Sequence, residues 1–332
     1  EQAAVLPHTS NLFYNEKTAM LAGRLALRTH FERVFLSNSG AEANECLIKT
    51  ARKWASDTKG EGEHPFVTLV NSFHGRTLTT VTATGQDTFH KFFGPFTPGF
   101  RYVPAGDLAA LERQLDAEDC SAVLVEIVQG EGGVRALDAD YLKAVEALCH
   151  EKNVLFCVDE VQTGNGRTGT WFAYEQFGLS PDLVSTAKGL GNGLPIGATL
   201  MGPKTAEVLT PGTHGSTFGG NPVACAGALS VLEQIDDAFL EAVKQKGAWL
   251  TAELEKIPGV KDVSGLGLML GFSVEGCKSA DIKAKALDNG LVVLTAKDRV
   301  RLLPPLAITE EELSDGLLRL AAAIREVQEA AH

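Results

Sequence analysis

Hydrophobic and polar positions follow two rhythms along this chain. Short apolar runs at 34–36, 66–70, 122–127, 154–158 and 183–185 read as strands buried on both faces. Between them, apolar residues recur at helical spacing: Met20, Leu21, Leu25 and Leu27 within 14–30, a helix from 40 to about 55, and another over 139–151. Strand and helix in alternation call for an α/β fold with a mostly parallel central sheet. A further strand is expected at 195–201. The loop 212–222 then leads into a helix over 223–235. Beyond a boundary near 236–242, two more helices, strands at 268–274, 291–294 and 300–303, and a closing helix over 309–328 predict a smaller C-terminal α+β domain. The stretch 86–100 fits neither rhythm. It sets Phe89, Phe92, Phe93, Phe96 and Phe100 among Gly and Pro, as a packed loop that could shape a pocket or a subunit contact.

Composition narrows the function classes. The chain has 332 residues, 44% of them hydrophobic, enough for a large core. Net charge is -12 and there is no basic run, which argues against nucleic acid as a partner. No apolar stretch reaches the roughly 18 residues of a membrane span, and the first residues show no signal-peptide pattern. The six cysteines show no Cys-x-x-Cys spacing and read as buried reduced thiols of a cytoplasmic protein. His64, His90, His150 and His214 share no metal-ligand spacing, so no metal site is expected. Gly-x-Ser-x-Gly and P-loop patterns are absent.

The candidate chemistry sits where strands end. The run 154–158 ends in Asp159, and 183–185 is followed by Lys188 and the loop Gly189-Leu190-Gly191-Asn192-Gly193. In open α/β sheets the carboxyl ends of strands face the ligand crevice. Asp159 alone could be a solvated loop cap, and Lys188 alone a surface lysine. Together they suit a pyridinium cofactor held as a Schiff base, the lysine as amine nucleophile and the acid on the ring nitrogen. Ser39-Gly40-Ala41-Glu42 reads as a capping box, Ser39 at N-cap and Glu42 at N3. It equally reads as a helix start whose free amides bind phosphate, Gly40 allowing close approach; the two readings are compatible. His74 could be a satisfied loop histidine. Arg76 and Arg301 could be surface residues, although a guanidinium ahead of Leu302-Leu303-Pro304-Pro305 makes a good carboxylate fork.

These motifs, with Phe73-His74-Gly75-Arg76, Gln129-Gly130-Glu131-Gly132-Gly133 and Gly215-Ser216-Thr217-Phe218-Gly219-Gly220-Asn221-Pro222, resemble those of the class III, ornithine-type aminotransferases from about His8 to the C-terminus. The resemblance implies fold type I of the pyridoxal-phosphate-dependent transferases, with pyridoxal 5'-phosphate as cofactor. It implies that Lys188 holds the cofactor and moves the proton, and that Asp159 pairs with the pyridine nitrogen. Phe73 and Val161 would sandwich the ring, with Gln162 near its phenolic oxygen. Gly40 and Ala41 would bind the phosphate, joined by Thr217 from the partner subunit of a homodimer whose active sites lie at the interface. Arg76 would bind substrate carboxylate with Ser216 nearby, and Arg301 the α-carboxylate of glutamate or 2-oxoglutarate. Glu131 would pair with Arg301 while the other amino donor is bound. Glu126 is followed by Ile127 where relatives often have proline.

Within the family the stretch from His8 to Tyr14 and the Phe73–Arg76 motif look most like members acting on N-acetylornithine. Ornithine, succinylornithine, 4-aminobutyrate and lysine-type donors are the alternatives. The resemblance also implies that 1–14 is the remnant of a longer N-terminal segment, followed by a large cofactor-binding domain over 15–238 and a small domain over 239–332. Outside catalysis, a cofactor-binding but inactive form is a rival reading. A nucleotide-binding module is weaker, because no Gly-x-Gly-x-x-Gly turn with an acidic ribose contact is present.

Overall fold

Strands without exposed faces need cover on both sides, and this computed structural model places them in one seven-stranded sheet. The structure describes residues 1–29, 31–116 and 119–330. His30, the expected end of the first long helix, and residues 331–332 of the expected small domain lie outside them. In chain order the sheet is built from β1 (Arg33–Ser37), β2 (Phe66–Leu69), β3 (Phe100–Val103), β4 (Ala122–Val125), β5 (Leu155–Asp159), β6 (Leu183–Thr186) and β7 (Gly197–Met201). Their spatial order is β1-β7-β6-β5-β4-β2-β3. β7 runs antiparallel to both its neighbours; all other pairings are parallel. Asp159 lies opposite Ser185, so the chain leaves β5 and β6 on the same edge of the sheet.

The chain forms two compact units. The first comprises Glu1–Ile127, Leu137–Asn165 and Phe172–Ile235 and contains this sheet. Its core joins Leu47, Ile48, Ala51 and Trp54 of the helix Gly40–Lys59 to Phe66, Leu124, Leu155 and Leu183 of the strands. The expected packed loop contains the short helix Asp87–His90, with Phe92 and Phe93 exposed and Phe89 packed 5.2 Å from Phe73.

The second unit gathers Val128–Ala136, Gly166–Trp171 and the chain from Asp236 onward. Its antiparallel sheet comprises β8 (Val260–Leu266), β9 (Met269–Val274), β10 (Leu294–Ala296) and β11 (Arg299–Leu302), in the order β8-β9-β11-β10. The helices Asp237–Leu254, Ser279–Asp288 and Glu310–Ala330 supply Leu254, Ile282 and Ile324 to a core with Phe272 and Val300. The strand expected at 291–294 is displaced. Gly290 takes a φ of 75° and Leu291 N–H donates to Ala286 O at 2.8 Å, so Leu291 closes the preceding helix instead of joining the ladder.

A short hairpin, Val128–Gln129 against Arg135–Ala136, belongs to this unit although its sequence lies between strands of the large sheet. Gly271 lets it approach, since a side chain there would come within 2.7 Å of Val134. Ser264 Oγ also donates to Val134 O at 2.5 Å. Among the described residues no helix is long and apolar enough to cross a membrane.

Candidate active site

The carboxyl edge of the large sheet opens into a cavity of about 650 Å³. Asp159 at the end of β5 and Lys188, two residues after β6, both line it. So do Gly40, Ala41, Phe73, Arg76, Val161 and Gln162, together with Asn38, Asn44, His74 and Glu126.

Asp159 is 4% exposed and held from three directions. Its Oδ2 accepts from His74 Nδ1 at 2.8 Å and Asn44 Nδ2 at 2.8 Å, and its Oδ1 accepts from Val161 N at 2.9 Å. Asn44 also donates to His74 O at 2.8 Å, and Thr84 Oγ1 accepts from His74 N at 3.0 Å. The histidine is a buried loop residue satisfied at Nδ1, while its Nε2 has no hydrogen-bond partner among the described residues. That favours the tautomer with the proton on Nδ1, facing the carboxylate. Next in sequence, Glu160 points into the core, where burial lifts its carboxyl to about 7.

The helix Gly40–Lys59 starts at the cavity wall. Ser39 Oγ accepts from Glu42 N at 3.2 Å, as a capping box requires, but the Glu42 carboxylate reaches one residue further back, to Asn38 N at 2.9 Å. The Gly40 and Ala41 amides open this helix. A side chain at Gly40 would come within 2.6 Å of Val161 Cγ1, so glycine keeps the backbone against that residue. Phe73 N donates to Glu126 Oε2 at 3.0 Å, which fixes the turn carrying Phe73. Arg76 is exposed and lies over the Phe73 and Phe89 rings at 5.9 and 5.4 Å. Lys188 sits at a φ of 44°, in the left-handed region that side chains other than glycine rarely occupy; such strain gathers at functional positions.

Four expected residues, Ser216, Thr217, Glu131 and Arg301, are not among those that line this cavity. Ser216 lies one contact away, its Oγ accepting from Asn38 Nδ2 at 3.0 Å. Thr217 is exposed on the same loop. Glu131 and Arg301 belong to the second unit. Glu131 tops the hairpin, and its Oε1 accepts from Arg301 Nη1 at 2.6 Å, with the side chains 31% and 10% exposed. Arg301 faces Gly271 across the β9–β11 ladder, the glycine that admits the hairpin. Two residues earlier, Arg299 is fully buried and donates Nη2 to the carbonyls of Asp262 and Gly271. Burial pushes its guanidinium down to about 10.

Sequence reasoning missed Asn44 and Arg299 and undervalued His74. Asn44 had a readable signal: with Gly40 and Ala41 it shares one helix face at i, i+3 and i+4 spacing. Arg299 had none, since alternation along a strand does not reveal a buried charge.

A phosphorylated pyridine aldehyde suits this cavity. The buried carboxylate at one strand end would suit a ring nitrogen, the lysine at the next strand end an aldehyde, and the glycine-floored helix start a phosphate. Among the described residues, no group of three His, Cys, Asp or Glu could hold a metal ion.

Comparison with known proteins agrees with this geometry. The family model for aminotransferase class-III matches residues 1–324. The acetylornithine aminotransferase of Haemophilus ducreyi is 51% identical over 323 residues, 97% of this chain and 82% of that protein. Among solved structures, the ornithine aminotransferase from Toxoplasma gondii matches with a TM-score of 0.93 at 37% identity, covering 99% of this chain and 81% of that one. The N-acetylornithine aminotransferase from Stenotrophomonas maltophilia matches at 0.87 and 39% identity, covering 99% and 85%. A sheet with these neighbours is fold type I, and the chain belongs to the class III aminotransferases, which depend on pyridoxal phosphate.

Proposed function

We propose that the chain is a cytoplasmic, homodimeric acetylornithine aminotransferase. It takes the terminal amino group of N2-acetylornithine, leaving N-acetylglutamate 5-semialdehyde, and passes it to 2-oxoglutarate to give glutamate, a step of arginine biosynthesis. One observation carries the reading. Arg76 lies at the cavity and has no ion-pair partner among the described residues, whereas Arg301 already holds the carboxylate of Glu131. N-acetylornithine bears one carboxylate and 2-oxoglutarate two. An enzyme that takes them in turn needs one permanent guanidinium and one that can be neutralised or uncovered.

Pyridoxal phosphate, when bound, supplies a carbonyl for Schiff-base formation and a ring that draws electrons from the adjacent carbon. Lys188 Nζ holds it and moves the proton at the reacting carbon. Asp159, fixed by His74 and Asn44, holds a proton at the ring nitrogen. Phe73 and Val161 would hold the ring between them and Gln162 would lie near the phenolic oxygen. The Gly40 and Ala41 amides would take the phosphate, with Thr217 of a second copy. Arg76, with Ser216 near it, binds substrate carboxylate. Arg301 binds the α-carboxylate of glutamate or 2-oxoglutarate, and Glu131 occupies it otherwise.

The likeness to an ornithine aminotransferase structure favours ornithine as the second reading for the donor. A half-reaction screen tests both. N-acetylornithine should bleach the visible cofactor band faster than ornithine, succinylornithine, 4-aminobutyrate or lysine. Faster bleaching by ornithine would reassign the donor. No bleaching by any amine would leave a binding protein without catalysis.

A further inference from the structure

The segment ahead of the helix Glu16–Arg28 and that helix's first turn line no part of the cavity, yet their polar side chains converge on one loop. Asn11 donates Nδ2 to Ser216 O at 2.8 Å and to Gly219 O at 3.1 Å. Thr18 Oγ1 donates to Gly220 O at 2.6 Å, and Asn221 Nδ2 donates back to Pro7 O at 2.8 Å. The His8 ring lies 5.0 Å from that of Phe218. On its inner side the loop is tied through Ser216 Oγ, which accepts from Asn38 Nδ2 and from Gly219 N, each at 3.0 Å. The loop lies flush against the body: a side chain at Gly219 would come within 2.3 Å of Leu36 O, and one at Gly220 within 2.9 Å of Thr18 Cγ2.

Between the pinned residues Ser216 and Gly219, the loop turns Thr217 and Phe218 outward. Both are exposed, Phe218 to 58%. The residues after Asn11 are equally uncovered, Leu12 at 89%, Phe13 at 69% and Tyr14 fully. Consecutive large apolar side chains beside an exposed phenylalanine make a surface suited to burial against another chain. In a two-fold dimer that chain is a second copy.

We infer that Asn11 is a positioning residue for the cofactor site of the neighbouring protomer, not for its own: by holding the Ser216 and Gly219 carbonyls it keeps Thr217 presented across the dimer. This rests on the reading above that Thr217 serves a partner's phosphate site. The carboxamide suits the task because one nitrogen carries two donors for two carbonyls. Asn11→Asp turns both contacts into repulsions between acceptors. Asn11→Ala leaves the carbonyls to water.

Differently tagged chains mixed into hybrid dimers test the direction of the effect, read by titrating the cofactor-free protein with pyridoxal phosphate and following the visible band formed at Lys188. In one hybrid a single chain carries both Asn11→Asp and Lys188→Ala, and the other is wild type. The one competent lysine then borrows its loop from the altered chain, and half-saturation should need about tenfold more cofactor. In the other hybrid Asn11→Asp sits on the chain with the intact lysine and Lys188→Ala on its mate. Affinity should then equal that of a hybrid carrying Lys188→Ala alone. Asn11→Ala should repeat the pattern at smaller size. Loss in the second hybrid, equal loss in both, or loss in neither would overturn the inference, as would a protein that stays monomeric. Building Thr217→Ala into the same pair separates the two claims. If it weakens the first hybrid while both Asn11 variants weaken neither, the shared site stands and the role of Asn11 falls. If it has no effect across the dimer, the reading of Thr217 falls and takes the inference with it.

Discussion

Asp159 and Glu131 are both carboxylates set against nitrogen donors, and they are held very differently. Asp159 is nearly sealed from solvent, with three N–H groups on its two oxygens. Its main donors, His74 and Asn44, are themselves tied to the same turn and to each other. Glu131 rides the tip of a two-strand hairpin, about a third exposed, and is paired with Arg301. On the proposed reading Asp159 meets the same ring atom in every cycle, and such a charge gains from being fixed from several sides. On the same reading Glu131 yields its place to one substrate, and such a charge gains from being held at a single point, since the partner can be traded without disturbing a network.

The comparison can be broken at its fixed end first. Lys188→Ala should abolish turnover, a loss of at least about 10⁴-fold, together with the visible cofactor band; residual turnover above a hundredth of wild type would contradict the assignment. Asp159→Asn should lower the rate by on the order of 10²- to 10³-fold. His74→Phe, which removes one donor, should lower it by about tenfold to a hundredfold. If His74→Phe were silent in kcat while Asp159→Asn was not, the carboxylate would not depend on its network. Gly40→Ala pushes Val161 from its place and should weaken cofactor binding about tenfold, with little change in kcat at saturation; unaltered affinity would show that the helix start is not the phosphate floor.

The smallest effect concerns Glu160, which shares the end of β5 with Asp159 but faces inward. Its carboxyl is raised from 4.5 to about 7 by burial. The folded protein therefore keeps a proton that the unfolded chain releases between those values, so stability falls as pH rises through that window and the loss is complete above it. Glu160→Gln should lose this dependence. Its melting temperature relative to wild type should rise from about pH 4.5 to pH 8, and a constant difference across that range would refute the buried-acid account.

Much of this was legible in the sequence for a physical reason. β4, β5 and β6 have both faces buried and so carry unbroken apolar runs. The helix Ala139–Glu151 starts where Asp138 caps it, accepting from Asp140 N and Tyr141 N. β3 was hidden because its aromatic residues looked like part of the loop before it. β8 was hidden by exposed Lys261 and Asp262 and by a register shift between Lys261 and Ser264. At the site, residues adjacent in sequence to strand ends were readable, but partners brought together only by folding were not. The bond from His74 to Asp159 spans 85 positions and that from Asn44 spans 115, and no local pattern encodes either. The membership of the Glu131 hairpin in the second unit was equally hidden, because it depends on the bare backbone at Gly271.

The replaceable end of the comparison is tested by Glu131→Gln, with the two half-reactions measured separately in single-turnover experiments. The variant leaves Arg301 without its carboxylate. The half-reaction with N-acetylornithine should slow, while the pyridoxamine form should bind 2-oxoglutarate more tightly and the glutamate half-reaction should speed up or hold. Opposite changes in the two half-reactions are the predicted result. Equal losses in both would show that Glu131 is a structural brace and not the group that lets one site serve two substrates.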